Sequence, residues 1–217
     1  MKVLIIMSVV IFPLLGLMES KAPGNQDSIS ELQLNMAKVA QIQKIEVDRQ
    51  QSELKIYRII QRFNPDMPKA LRKAVAREII EMSSKYPNLD ANLICATITH
   101  ESARSWEPKV TSSAGAMGLM QIMPATGKWL AQMKGIQWSN AENVLFNPIY
   151  NIRLGSHYLS YLIEMYELDG GLAAYNGGGK IVERWLANNK ADGILWDETQ
   201  NYIPNVLNLY AEFRSTN

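Results

Sequence analysis

Glu101 stands between His100 and Ser102 in the stretch THESARSWEPKVTSSAGAMGLMQIMP, and after Glu107 no further Asp or Glu occurs until Glu142. Carboxylate catalysts usually work in pairs, so an acid in so sparse a run raises the question of what it works with. A zinc-peptidase helix would need H-E-x-x-H, with two imidazoles on one helix face holding the metal. The second position here is Arg104, and His157 is the only other histidine, so the residues do not support a protein-built metal site. A nucleophilic Ser102 with His100 fares no better. Adjacent helical residues point about 100° apart, and no G-x-S-x-G turn is present to expose the hydroxyl. Cys95 is the sole cysteine and lies in the apolar run NLICATI, which excludes an intrachain disulfide and reads as a small buried hydrophobe. The remaining candidate is Glu101 as a proton donor. A carboxyl closing an apolar helix is partly desolvated, and desolvation raises its pKa toward the range of a general acid. Spacing alone leaves this open against an ordinary surface Glu at a helix end.

The elements that must position these residues are helical. KALRKAVAREIIEMSSKY carries Leu71, Val75, Ile79 and Met82 down one side. Asp90 is placed to cap a second helix from Ala91 to about Glu101, whose Leu93, Ile94, Ala96 and Ile98 imply burial. Pro124 can open a helix that runs through Met133 and stops at Gly135. Asn147 and Pro148 start a long one lined by Ile149, Ile152, Leu159, Leu162, Ile163 and Tyr166. AYNGGG interrupts the pattern and KIVERWLANN resumes it. Asp197 is placed to cap a final helix with Tyr202, Val206, Tyr210 and Phe213 on one broad face. No strand-like alternation is sustained, so the fold class is all-α, or α with a minimal β element.

Upstream of NPDMP (Asn64 to Pro68) the chain has a different character. MKVLIIMSVVIFPLLGLMES places Lys2 before an uncharged apolar run from Val3 to Met18, shorter than the ~20 residues of a membrane span and matching the start of a secretory signal. No clear A-x-A cleavage pattern follows, so residues 1–20 read as a signal peptide or an N-terminal anchor. Residues 21–64 are a polar linker followed by one or two amphipathic helices, with Leu32, Met36, Val39 and Ile42 at helical spacing. A coiled coil is disfavoured because that repeat loses its register near Asp48. Residues 65–217 form the compact domain. The 217 residues, 47% hydrophobic and 20% charged, suffice for one buried core, and a net charge of +1 gives no case for nucleic acid.

HES, then SSAGAMGLMQIMPATG, then AYNGG, then ETQNYIPNV are similar, in residues and order, to the motifs of the SLT-type lytic transglycosylases, glycoside hydrolase family 23, relatives of goose-type lysozyme. The likeness runs from about Pro65 to Tyr210. It implies a lysozyme-like helical domain, Glu101 as the single catalytic acid/base, and no cofactor. Ser112 matches a Ser that helps polarise the substrate near that carboxyl, and Gln121 and Met123 match residues lining the groove for the sugar. Ala174, Tyr175 and Asn176 match the A-Y-N motif at the catalytic site, and Tyr202 matches a Tyr whose hydroxyl approaches the carboxyl. From the residues themselves, Gly115 and Gly118 permit close backbone approach or a tight turn. Gln121, polar within an apolar run, must bond within the fold or face a ligand. Met117, Met120 and Met123 fall at helical spacing, which favours core packing. The alternative for Tyr202 is a core aromatic on a helix face.

Two features depart from the family pattern. Two extra residues fall at Arg104 and Ser105, before Trp106, and Gln200 stands where Arg is common. The expected activity is cleavage of peptidoglycan strands between N-acetylmuramic acid and N-acetylglucosamine with a 1,6-anhydro end, the substrate supplying its own charge stabiliser and nucleophile. The alternatives are a hydrolytic muramidase and a non-catalytic glycan-binding or scaffold protein. The expected location is the periplasm or cell envelope after export, with membrane association through residues 1–18 and an envelope-assembly partner for residues 29–63 as further expectations.

Overall fold

The computed structural model describes residues 25–216 as helices joined by short loops, and the signal or anchor expected at residues 1–20 lies outside the described residues. Among the described residues eight helices follow one another: α1 (Asn25–Phe63), α2 (Lys69–Lys85), α3 (Ala91–Glu101), α4 (Pro124–Met133), α5 (Ala141–Leu145), α6 (Pro148–Gly177), α7 (Gly179–Ala187) and α8 (Asp197–Ser215). The β content is two isolated antiparallel bridges, Thr111 to Met117 and Met117 to Ile122. The all-α expectation with a minimal β element is therefore met.

The chain divides into two units, 1–46 and 47–217. The first contains the earlier turns of α1, where Leu32, Met36, Val39 and Ile42 are all exposed. The second begins inside α1, because Ile56, Ile59 and Ile60 join its core, so it starts earlier than the boundary expected at residues 64–65.

Within the second unit the apolar run of α3 is buried from Leu93 to Thr99, and α3 packs chiefly against α8. Asp90 caps α3 by accepting from the Asn92 N–H, and Asn147 caps α6 by accepting from Ile149 and Tyr150. α6 packs on α2, α7 and α8, with a break at Glu167, whose φ is 61°. Two expected boundaries shift. α6 continues through Ala174, Tyr175 and Asn176 and breaks only at Gly178, φ 84°. Asp197 lies in the first turn of α8, whose N-cap is Trp196 without a side-chain bond; there Asp197 and Glu198 complement the positive helix end instead.

Candidate active site

Glu101 is the last residue of α3. Packing α3 on α8 brings the Tyr202 hydroxyl to its carboxylate, donating to Oε1 at 2.6 Å. The Tyr202 ring is 1% exposed and meets the His100 imidazole edge-on, with centroids 4.7 Å apart. Burial pushes the Glu101 carboxyl up from its ordinary 4.5 to about 7; the Tyr202 bond opposes that rise and the negative charge of Glu198 adds to it. An acid with this pKa near neutral pH can give a proton and later take one back. Burial, opposed by the Glu198 charge, holds His100 below its usual pKa, so its imidazole is biased toward the neutral form.

Tyr175 projects from α6, and its hydroxyl donates to the Met120 carbonyl at 2.8 Å. Burial and then the charge of Glu101 hold its phenol well above the ordinary value, so it stays protonated. Asn176, one residue on, accepts from Thr199 of α8 at 2.7 Å. Ala174 is completely buried and packs beneath the site.

The strip from Val110 to Met123 is held by backbone pairing and by one buried amide. Its methionine spacing mimics a helix, but the chain here is turns and bridges. Met117 and Met120 are buried, while Met123 is 44% exposed at the entrance to α4. Gln121 takes φ 46° and donates to the Gly118 carbonyl at 2.7 Å. Of the two roles open to it, the one visible here is bonding within the fold, and the half-buried side chain keeps its amide oxygen for another partner. The Ser112 hydroxyl accepts from the Ala116 N–H at 3.0 Å and leaves its own proton to donate. Asn151 of α6 anchors the strip from behind, accepting from Met120 N–H at 2.8 Å and donating to the carbonyls of Met117 and Leu145, both at 2.9 Å.

The two extra residues near Arg104 leave Glu101 bonded to Tyr202. They are absorbed in a loop where Ala103, Arg104 and Trp106 all take positive φ (49°, 64° and 50°). Trp106 fixes that loop: its indole N–H donates to Thr99 at 2.9 Å, its backbone N–H to the Ser102 hydroxyl at 3.1 Å, and its carbonyl accepts from Asn64. Cys95 is fully buried, and burial pushes its thiol far above the usual range, which makes a nucleophilic thiolate unavailable.

Four contributors escaped sequence reasoning: Glu198, Thr199, Asn151 and His100 in its role against Tyr202. Glu198 carried a usable signal, since it precedes Tyr202 by four residues and so shares its helix face. Asn151 carried one as well, as a polar residue on a face otherwise apolar.

These features define a helical domain built around one desolvated carboxyl closing a buried helix. The Transglycosylase SLT domain model matches residues 78–195, more than half of the chain, and the chain belongs to that family. The match stops short of Glu198 and Tyr202, whose placement rests on the packing of α8. The chain is 36% identical over 120 residues to the soluble lytic murein transglycosylase of Escherichia coli strain K12, covering 51% of this chain and 19% of that protein. It is 33% identical over 123 residues to the membrane-bound lytic murein transglycosylase C of Shigella sonnei, covering 52% and 33%. Among solved structures, a 70-kDa soluble lytic transglycosylase in complex with bulgecin A superposes with a TM-score of 0.59 at 31% identity, over 72% of this chain and 25% of that one. An inactive variant of the lytic transglycosylase Slt from Pseudomonas aeruginosa gives 0.56 at 29%, over 63% and 23%. The chain thus spans a fifth to a third of the length of these curated relatives.

Proposed function

We propose that this protein is a peptidoglycan lytic transglycosylase that cleaves the β-1,4 bond between N-acetylmuramic acid and N-acetylglucosamine. The observation that carries the reading is the Glu101 carboxyl, half-buried at the end of α3, pushed up to about 7 by desolvation and held by Tyr202. Protonated Glu101 gives its proton to the glycosidic oxygen, and the N-acetylglucosamine side leaves as an alcohol. The carbonyl oxygen of the 2-acetamido group stabilises the positive charge on C1 of the muramic ring. Glu101, now a carboxylate, takes the proton of the C6 hydroxyl as that oxygen closes on C1, which releases the acetamido group and restores the acid. No water is consumed, and the intramolecular attack avoids the entropy cost of capturing a separate nucleophile.

Tyr202 orients the carboxyl through its bond to Oε1. Ser112, with a free hydroxyl proton, Gln121, with an open amide oxygen, and exposed Met123 are suited to line the groove for the sugar, and Tyr175 braces the strip that carries them. Residues 1–20 export or anchor the chain to the cell envelope, and residues 29–63 meet an envelope partner through the exposed turns ahead of Ile56.

Glu101→Gln is expected to lower solubilisation of purified cell walls at least a hundredfold, the contribution typical of a general acid/base, while the variant stays folded. A fragment mass one water below that of the hydrolytic product identifies the anhydro end. Glu198 favours a second reading, a muramidase using water, because its charge reaches Glu101 and could serve as the second carboxylate. Hydrolytic masses in the same digest would select it.

A further inference from the structure

The loop that follows Glu101 is strained and closes the helix end on which the acid stands. Ala103, Arg104 and Trp106 take φ 49°, 64° and 50°, left-handed conformations that non-glycine residues keep only where surrounding contacts impose them and that cluster at functional sites. The Ser102 N–H donates to the Ile98 carbonyl at 2.9 Å and the Arg104 N–H to the Thr99 carbonyl at 2.8 Å, so this segment completes the last turn of α3. Helix ends fray, and Glu101 lies in that turn. Among the described residues, every hydrogen bond of residues 103–106 but one stays within 99–107.

The exception comes from the end of α1. Asn64 donates its side-chain amide to the Trp106 carbonyl at 3.1 Å, and beside it the exposed Arg104 guanidinium lies over the Phe63 ring, 5.8 Å from its centre. Asn64 is itself held in place. Its N–H donates to the Ile60 carbonyl at 2.7 Å, and the buried Arg72 guanidinium donates to the carbonyls of Asn64, Pro65 and Met67 at 3.4, 2.8 and 2.9 Å. The same turn of α1 also grips α8, where Phe63 meets Phe213 edge-on at 6.2 Å and Arg62 pairs with Glu212. The end of α1 therefore ties the loop after Glu101 to α8, and the Glu101–Tyr202 bond spans the gap between α3 and that same helix.

We propose that Phe63 and Asn64 are positioning residues for Glu101: they clamp the strained loop, keep the last turn of α3 from fraying, and so hold the carboxylate where Tyr202 reaches it. The inference rests on Glu101 being the acid of the lytic transglycosylase reading, and its test follows the carboxyl itself, without turnover. Full-length protein isotope-labelled at the glutamate carboxyls would be titrated by NMR, the Glu101 signal being assigned by its loss in Glu101→Gln. Tyr202 and Glu198 of α8, Tyr175 of α6 and the adjacent His100 are the titratable groups around that carboxyl, and the variants below change none of them. The wild type should titrate at about 7. Asn64→Ala frees the turn and admits water; because desolvation outweighs the Tyr202 bond at Glu101, the midpoint should fall toward 4.5 by roughly half a pH unit or more. Arg104→Ala, an exposed change that leaves the core intact, should move it the same way by less. Ile79→Val, which loosens the core on α2, should leave it in place. In turnover on cell-wall fragments, Asn64→Ala should lower kcat roughly tenfold at nearly unchanged KM, because the clamp orients the acid rather than the substrate. A wild-type midpoint near 7 that both clamp variants leave unmoved, or move no further than Ile79→Val does, overturns the clamp alone. A wild-type midpoint near 4.5 overturns the acid reading and the clamp together.

Discussion

Glu101 gains charge only against its surroundings, and that has two measurable consequences. Its folded pKa lies near 7 rather than 4.5, so between those values the folded chain holds more protons than the unfolded one. Stability contributed by this group is therefore greatest at low pH and falls as pH rises through that window. Thermal melts of the wild type and Glu101→Gln should diverge from pH 4.5 to about 7, the Gln variant becoming the more stable by on the order of 1 kcal/mol once solvent screening of the part-exposed carboxyl is allowed for. Parallel curves would contradict a buried acid. Tyr202 pulls the other way, since its hydroxyl favours the carboxylate. Tyr202→Phe should shift the alkaline fall of kcat/KM to higher pH, because the acid form persists longer, and a pH–rate profile on cell-wall fragments checks the sign. The residue type and place of Glu101 were legible from the apolar run before it. Its partner was legible only through the family likeness, because a hydroxyl 101 positions away reaches it only when α3 and α8 pack.

At the scale of elements, the strip from Val110 to Met123 depends on what lies behind it. Gly118 takes φ +79°, and a Cβ there would sit 2.2 Å from the Leu145 carbonyl and 2.3 Å from the Asn151 amide. Gly118→Ala should cost on the order of 3 kcal/mol by combining backbone strain with a clash against groups that cannot retreat. Asn151→Ala removes the partner of one N–H and two carbonyls and should destabilise by a similar amount. Urea titration of both variants measures this, and a loss below about 1 kcal/mol in either would mean the strip is held some other way. Of the two roles the glycines left open, close approach is met at Gly118, where the backbone meets Asn151 rather than a ligand. Met117 and Met120 imitate a helix because a turn and a helix can both bury residues three apart, while Met123 keeps the spacing but is exposed; periodicity reports burial, and only the bridges distinguish the two.

For the whole molecule, the unit from Val47 onward contains its own core, which begins at Ile56. A chain starting at Val47 should melt within roughly 2 °C of the full chain, since among the described residues 28–46 no buried side chain is lost; differential scanning calorimetry of the two would show it. The sequence by itself determined the helical class, most helix starts and stops, the buried face of α2, the apolar body of α3 and the position of the acid, because these follow from local capping chemistry and from apolar spacing within one element. Tertiary structure alone decided that α1 feeds its last turns into the core, that the Glu198 charge acts on Glu101, that Asn151 holds the strip, and that the extra residues at Arg104 and Ser105 form a pinned loop with Glu101 still bonded to Tyr202. Each of those depends on groups far apart in the chain, and no local pattern encodes a distance that only packing sets.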